Sequence, residues 1–246
     1  MPKVPPVATE AAGFDGAGLS VVVPFFEEGP LVDAVLAELR SRLPRAEIVA
    51  VDDGSSDDSW ARILAAPGVR GLRFARNQGQ SAAIYWGLKA ATQPLVAVMD
   101  GDGQNDPASF AGLVRELRAG NADVACGYRA RRRDSWSRRA ASRIANAIRR
   151  AILDDGARDT GCSQKVFRRE HVELLVPFRG MHRYLPAIFR QAGLRIAEVE
   201  VGHRPRAGGR SKYGNWRRAR DGVYDLFGVA WLLDRKLPPP KMETKP

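Results

Sequence analysis

The order of apolar and polar positions predicts an α/β fold. Between residues 19 and 126, short runs rich in β-branched residues alternate with segments whose apolar residues recur at helical spacing. The predicted strands are Leu19–Val23, Glu47–Val51, Leu72–Ala75, Leu95–Met99 and Asp123–Cys126. The helices predicted between them are Pro30–Arg42, Asp57–Ala65, Gln80–Ala91 and Pro107–Arg118. This alternation favours a mostly parallel sheet covered by helices.

The second half of the chain has a different pattern. It predicts a basic helix at Trp136–Ile152, strands at Gln164–Phe167 and Leu194–Val201, a helical stretch from His171 to Val176, a Gly/Arg loop at Gly202–Gly214 and a last helix at Asn215–Arg235. We expect one catalytic domain over 19–213, a flexible leader over 1–18 and a disordered tail over 237–246.

The last helix, with domain bounds 214–236, is predicted to be amphipathic. Its apolar residues Val223, Leu226, Phe227, Ala230 and Trp231 have the spacing of one helical face. That face suits docking onto the sheet, a dimer partner or a membrane surface, and the sequence does not choose among them.

The composition limits the cellular location and the kind of binding partner that we expect. The 246 residues carry a formal net charge of +11, which favours an anionic partner such as nucleic acid, a phosphorylated substrate or an anionic membrane. Two cysteines are too few for a disulfide scaffold. We see neither a signal peptide nor an apolar run of the roughly 20 residues that a membrane span needs. We therefore expect a cytoplasmic protein that associates peripherally with the membrane's cytoplasmic face.

The candidate chemistry lies just after the predicted strands, where open α/β sheets bind their ligands. Asp100 and Asp102 follow the fourth strand at positions i and i+2, and Gln104 comes next. Hard oxygen ligands of this kind suit Mg²⁺ or Mn²⁺. Read alone, the segment fits an Asp/Gly turn equally well. Asp52 follows the second strand, where a carboxylate can accept hydrogen bonds from a base or a ribose.

Four short motifs in this order resemble the family 2 glycosyltransferases. They are Val22-Val23-Pro24 with Glu27, Val51-Asp52-Asp53-Gly54-Ser55, Arg76-Asn77-x-Gly79, and Asp100-x-Asp102-x-Gln104. Within the family, the chain is most similar to the polyprenyl-phosphate (dolichol-phosphate) mannosyl- and glucosyltransferases. The resemblance runs from about Leu19 to Leu233 and implies the GT-A fold.

The resemblance also implies a role for each matching residue. The donor nucleotide is expected at Pro24, Phe26, Glu27, Asp52, Asp53, Asn77, Gly79, Asp100 and Gly101. A divalent cation, Mg²⁺ or Mn²⁺, is expected at Asp100, Asp102 and Gln104. The phosphates of donor and acceptor are expected at Arg129, Arg139, Arg206, Ser211 and Lys212. The residues implied in catalysis are Asp102, Arg129, Arg206 and Lys212.

The implied reaction is inverting transfer of mannose or glucose from GDP-mannose or UDP-glucose to a polyprenyl (dolichyl or undecaprenyl) phosphate. A phosphate monoester, with a second pKa of about 6, needs no general base at neutral pH. No histidine stands out beside the acidic motifs, which fits such an acceptor.

Two other functions remain open. A saccharide hydroxyl acceptor would need a carboxylate base, for which Asp159 is the best candidate. A basic nucleic-acid-binding protein fits the net charge but leaves the acidic strand ends unexplained, so we expect no nucleic-acid partner.

Overall fold

A seven-stranded sheet forms the centre of the computed structural model, which describes residues 13–130, 149, 151–153, 155–205 and 215–235. For residues 215–221 and 223 it describes the backbone but not the side chains. The strands are β1 (Leu19–Phe25), β2 (Glu47–Asp52), β3 (Val69–Arg73), β4 (Leu95–Val98), β5 (Val124–Tyr128), β6 (Lys165–Arg168) and β7 (Ile196–Glu200). Their order across the sheet is β3-β2-β1-β4-β6-β5-β7.

Six α-helices with defined bounds accompany the sheet, and residues 149 and 151–153 are helical as well. They are α1 (Gly29–Arg42), α2 (Ser59–Ala65), α3 (Gln80–Ala90), α4 (Phe110–Arg118), α5 (Leu185–Gln191) and α6 (Asn215–Arg235). Short 3₁₀ helices lie at Pro107–Ser109, Arg169–Leu174 and Met181–Arg183.

The strand directions decide which loops meet. Strands β1 to β4 pair in parallel, and β5 pairs in parallel with β7. Strand β6 is antiparallel to both of its neighbours, β4 and β5. Because β6 is reversed, the segment that leads into it lies at the same edge as the carboxyl ends of β1, β2, β4 and β5. The predicted mostly parallel sheet is therefore confirmed, with one reversed strand.

The core has two layers, one on each face of the sheet. Alternate residues of β1 illustrate the division: Val21 and Val23 face helices α1, α2 and α4, whereas Val22 faces α3, α5 and α6. All three valines are buried, which explains the unbroken apolar run of this strand. Helix α6 packs onto the second layer through Leu226, Val229 and Leu233.

Several element boundaries differ from the sequence predictions. Strand β3 begins at Val69 rather than Leu72, because this edge strand is half exposed and its apolar pattern is weak. The predicted stretch at 171–176 is a 3₁₀ helix at Arg169–Leu174. Helix α5 was not predicted, since it is only seven residues long and has Pro186 in its first turn.

Parts of the sequence prediction lie outside the described residues. These are the predicted basic helix before residue 149, the loop from residue 206 to 214, the tail over 237–246 and most of the leader. The proposed division into domain, helix and tail stays a prediction.

Gly87 tests how tightly α3 packs on the sheet. A Cβ atom added there would lie 2.4 Å from Val22 Cγ1 and 3.0 Å from Val51 Cγ2. We expect Gly87→Ala to lower the free energy of unfolding by about 1–3 kcal/mol, because the added methyl overpacks the layer. Urea denaturation measures this.

Gly228→Ala in α6 is the matched control. A Cβ atom added at Gly228 meets nothing within 4 Å. Alanine is favoured over glycine in a helix by about 0.5–1 kcal/mol, so this variant should be more stable than the wild type. Equal effects of the two substitutions would contradict the packing described for Gly87.

Candidate active site

Two carboxylates lie directly beyond the end of β4. The backbone N–H of Asp100 donates to Ser163 Oγ at 3.2 Å, and Asp100 Oδ1 accepts a hydrogen bond from Gln80 Nε2 at 2.6 Å. Asp102 Oδ1 accepts from the backbone N–H of Gln104 at 3.1 Å. The two residues thus occupy a loop that α3 and the start of β6 hold from both sides.

Electrostatics make this acid pair unusual. Burial and the neighbouring charge of Asp102 raise the pKa of Asp100 to about 6, although the Ser163 hydroxyl, Lys165 and Arg129 act in the opposite direction. A desolvated carboxylate beside a like charge is the arrangement that a bound cation relieves. Within the described residues there is no group of three or more His, Cys, Asp or Glu that could hold a metal ion.

Gly101 lets the acid loop lie against β1. A Cβ atom at Gly101 would come within 2.6 Å of the Phe25 ring and 2.8 Å of the Pro24 carbonyl oxygen. Only glycine permits this approach. Pro24 and Gly101, both predicted at the donor site, are therefore in direct contact, and Phe26 follows at the end of β1.

The segment after β7 is bound to the same loop. His203 forms an isolated antiparallel bridge with Asn105. The backbone N–H of Arg204 donates to the Gln104 carbonyl at 2.9 Å, and Gln104 Nε2 donates to the Arg204 carbonyl at 3.3 Å. The remaining atom of the Gln104 amide, Oε1, is the one that can act as a metal ligand.

Arg204 fixes this segment in place. Its guanidinium pairs with Glu38 of α1 at 2.8 Å and with Asp106 at 3.2 Å. The chain that leads into the predicted phosphate-binding loop therefore begins beside the acid motif.

Arg129, the first residue after β5, is held by Asp159. Its Nε lies 2.7 Å from Asp159 Oδ2 and its Nη2 lies 3.0 Å from Oδ1, so the pair is bidentate. Burial opposes the charged guanidinium, but Asp159 outweighs it and raises the pKa of Arg129. Arg129 follows β5 and Asp159 lies in the segment before β6, so their ion pair links these two parts of the site.

A second buried ion pair supports the same segment. Arg149 Nε lies 2.9 Å from Asp155 Oδ2, and Arg149 Nη2 donates to the Ala157 carbonyl at 2.7 Å. The other Nη of Arg149 bonds to the Thr160 hydroxyl. Arg149 thus holds the loop that carries Asp159, a role that sequence reasoning missed because nine arginines crowd residues 129–150.

The loops after β1 and β2 are tied to each other. Glu27 has a left-handed backbone, with φ of 55°, and its carboxylate accepts from the backbone N–H and the hydroxyl of Ser56. Asp52 is fully buried: its Oδ1 accepts from the Ser55 backbone N–H at 3.1 Å, and Arg73 Nε approaches its Oδ2 at 3.1 Å. The predicted contacts of Glu27 and Asp52 with a nucleoside stay predictions.

Asp53 organises the loop before α3. Its carboxylate accepts from Asn77 Nδ2 at 2.9 Å and from the backbone N–H groups of Gln78 and Gly79 at 2.7 and 2.8 Å. Burial raises the pKa of Asp53, with the Asp52 charge adding to it and the Gln78 and Gly79 bonds opposing it. Asn77 and Gly79, both predicted at the donor site, donate to Asp53, which was predicted there too. The Asp53 carboxylate therefore holds the shape of this loop.

Sequence analysis overlooked two polar residues, Lys165 and His182. Lys165 is buried at the start of β6, and its ammonium donates to the Cys162 carbonyl. His182 Nδ1 lies 2.8 Å from Ser81 Oγ, and burial, Arg183 and Lys165 lower the pKa of His182 to about 3. The sequence feature that pointed to Lys165 was the presence of a charged residue inside the predicted strand Gln164–Phe167.

His203 corrects one expectation. No histidine was expected beside the acidic motifs, yet its backbone bridge to Asn105 places His203 next to them. The two are almost one hundred residues apart in sequence, so only the fold shows their proximity.

Arg139, Arg206, Ser211 and Lys212, four of the residues predicted to bind phosphate, lie outside the described part of the chain. Both cysteines are buried and unbridged, and burial raises the pKa of Cys126 to about 12. Neither thiol therefore offers a nucleophile at neutral pH.

Comparison with known proteins identifies the domain. Residues 20–175 match the family described as Glycosyl transferase family 2. The chain is 37% identical over 235 residues to the dodecaprenyl-phosphate galacturonate synthase of Rhizobium johnstonii, covering 90% of this chain and 69% of that protein. It is 33% identical over 205 residues to the undecaprenyl-phosphate 4-deoxy-4-formamido-L-arabinose transferase of Aeromonas hydrophila, covering 80% and 63%. The chain thus spans about two thirds of these relatives' length.

A solved structure agrees on the fold. Glucosyl-3-phosphoglycerate synthase from Mycobacterium tuberculosis, determined with Mn²⁺, uridine-diphosphate-glucose and phosphoglyceric acid, superposes with a TM-score of 0.70. The match covers 88% of this chain and 80% of that one at 21% identity. The predicted GT-A fold is confirmed.

The acid pair leads to a test of cation binding. We expect Mn²⁺ together with UDP or GDP, at a hundredfold excess over the dissociation constant, to raise the melting temperature by about 5–10 °C. Asp102→Asn should lose this rise, because one charged ligand is removed. Differential scanning fluorimetry measures it, with the metal alone as a further arm.

Asp123→Asn is the matched control. Asp123 precedes β5 at the opposite edge of the sheet and pairs on the surface with Arg195. This variant should keep the full rise, and its loss in both variants would contradict the assignment to Asp102.

Proposed function

Because the chain belongs to glycosyl transferase family 2, we propose that it transfers a sugar from a nucleotide-sugar to a polyprenyl phosphate, with inversion at the anomeric carbon. The observation that carries the donor half is the desolvated Asp100 carboxylate with Asp102 beside it at the end of β4. The acceptor half is supported by the names of its relatives, which act on dodecaprenyl and undecaprenyl phosphate.

The residues at the acid motif fit a divalent cation. Asp100 and Asp102 supply two hard carboxylates, and Gln104 Oε1 supplies a neutral oxygen. A cation bound there would neutralise the diphosphate that leaves with the nucleoside. Gln80 orients Asp100 through its 2.6 Å hydrogen bond, and the backbone N–H of Gln104 orients Asp102.

An acceptor phosphate suits the remaining polar groups. Its oxygen attacks the anomeric carbon from the face opposite the diphosphate, and the new C–O bond forms as the old one breaks. The acceptor is largely dianionic at neutral pH, so no side chain has to remove a proton. Asp159, the carboxylate considered as a base for a hydroxyl acceptor, is engaged by Arg129 at both oxygens. A carboxylate stabilised in this way is a weak base.

The sugar is a separate question. The resemblance predicts mannose or glucose, whereas the relatives are named for galacturonate and 4-deoxy-4-formamido-L-arabinose. We propose a hexose or a hexuronic acid, because the galacturonate synthase shares the greater identity over the greater part of the chain.

One observation favours a second candidate, transfer to a saccharide hydroxyl. The backbone of His203 bridges Asn105 next to the acid loop, and an imidazole is a side chain able to accept a hydroxyl proton. The two candidates differ in whether a base is required.

The direct test offers both acceptors to the wild type. Radiolabelled GDP-mannose, UDP-glucose and UDP-galacturonate are each incubated with Mn²⁺ and either undecaprenyl phosphate or a soluble saccharide. We expect label in the lipid fraction from one donor and its loss on chelation. Label in the saccharide alone would contradict the proposed acceptor.

His203→Gln separates the two chemistries by mechanism. Loss of a general base costs about 10²- to 10⁴-fold in rate, whereas a dianionic phosphate needs none. We therefore expect kcat/KM for polyprenyl phosphate to change by less than about tenfold. The pH dependence should still follow ionisation of the acceptor, rising through pH of about 6. A collapse in rate with an altered pH profile would favour the hydroxyl acceptor.

A further inference from the structure

Helix α3 begins beside the acid loop without a side-chain cap. Its N-cap residue is Gly79, which has no side chain to bind the first N–H groups of the helix. The next residue, Gln80, is exposed, and its Nε2 donates to Asp100 Oδ1 at 2.6 Å. A glutamine side chain has several rotatable bonds, so this contact depends on how firmly the backbone beneath it is held. Whatever fixes the first turn of α3 therefore fixes the partner of Asp100.

Two sets of hydrogen bonds hold this first turn. On one side, the Asp53 carboxylate accepts from the backbone N–H of Gly79 at 2.8 Å. On the other side, the buried Ser81 Oγ accepts from the backbone N–H of Gly180 at 3.0 Å and lies 2.8 Å from His182 Nδ1. These two partners of Ser81 are 99 and 101 residues away in sequence. The hydroxyl thus joins the start of α3 to a distant segment of the chain.

The His182 imidazole is suited to accept the Ser81 proton. Burial, with the charges of Arg183 and Lys165, lowers the pKa of His182 to about 3, so the ring is neutral at neutral pH. A neutral imidazole has one nitrogen that accepts, and a hydroxyl that accepts from a backbone N–H still has its own proton to donate. Ser81 can therefore use both its oxygen and its proton on the same short segment.

The segment that carries His182 is itself held in place. Gly180 has a left-handed backbone, with φ of 90°, and a Cβ atom added there would lie 2.8 Å from Asp225 Oδ2 of α6. Only glycine combines this backbone with so close an approach. At the other end of the segment, Tyr184 Oη donates to the Gly222 carbonyl of α6 at 3.3 Å. His182 therefore extends from a fixed support between α3 and α6.

We propose that Ser81 and His182 are positioning residues, whose hydrogen bond holds the first turn of α3 so that Gln80 stays on Asp100. The contacts run from His182 to Ser81, along the chain to Gln80, and from Gln80 to Asp100. The consequence for cation binding rests on the proposed function, in which Asp100 is a metal ligand. Groups that orient a metal ligand typically change metal affinity or activity by about 10- to 100-fold when they are removed.

The side-chain amide of Gln80 reports the contact without metal or nucleotide. Its resonances in ¹H–¹⁵N spectra are identified by their absence in Gln80→Leu. We expect them to lie away from those of solvated glutamines in the wild type, because a carboxylate accepts from the amide, and to move to the solvated position in Ser81→Ala and in His182→Leu. Unchanged Gln80 resonances in these two variants would overturn the inference.

Two asparagine variants separate positioning from a general loss of structure. His182→Asn keeps an acceptor close to the place of Nδ1, so it should retain the wild-type Gln80 resonances. His171→Asn is the matched control: His171 is also partly buried, but it lies in the 3₁₀ helix Arg169–Leu174, which follows β6 at the opposite edge of the sheet. It should leave Gln80 unchanged. Loss of the Gln80 contact in both asparagine variants would contradict a specific role of the Ser81–His182 bond.

Titration with Mn²⁺ in the presence of UDP or GDP measures the consequence for the cation. We expect Ser81→Ala and His182→Leu to weaken Mn²⁺ binding by about 10- to 100-fold, and His182→Asn to bind close to the wild type. In a Gln80→Leu background, Ser81→Ala should add little, because its effect passes through Gln80. A full additional loss in that background would show that Ser81 acts independently of Gln80 and would overturn the positioning role.

The inference and the proposed function can fail separately. A wild type that binds no Mn²⁺ with either nucleotide would refute the proposed cation site. The Gln80 resonances would still decide whether Ser81 and His182 hold Gln80 on Asp100, because that measurement needs neither metal nor substrate.

Discussion

Repulsion between two neighbouring carboxylates is the constraint around which this site is built. Asp100 is desolvated beside the charge of Asp102, and both effects raise the pKa of Asp100. Asp100 accepts a hydrogen bond from Gln80 and donates its backbone N–H to the Ser163 hydroxyl, while Asp102 accepts from the backbone N–H of Gln104. The intervening Gly101 lies close against β1. The cation proposed for this site would relieve that repulsion.

The loops around this pair stabilise one another, and no single element supplies the site. Asp53 holds the loop before α3, and Gln80, which follows that loop, holds Asp100. On the other side, Arg204 joins α1 to the acid loop, and Arg129 joins β5 to the segment before β6. Because each loop is anchored at the end of a buried strand, the spacing of the polar groups follows from the strand order of the sheet.

Local features of the fold could be predicted from the sequence, whereas contacts between distant segments could not. Periodicity located all seven strands, although the weak apolar pattern of the edge strand β3 shifted its predicted start. The motif order predicted the acid pair and Arg129 at strand ends. It did not reveal that Asp53 binds Asn77 and Gly79, or that Arg129 is paired with Asp159. The sequence alone does not show which partners the polar residues at strand ends bind. Only the tertiary structure shows which of them bind each other.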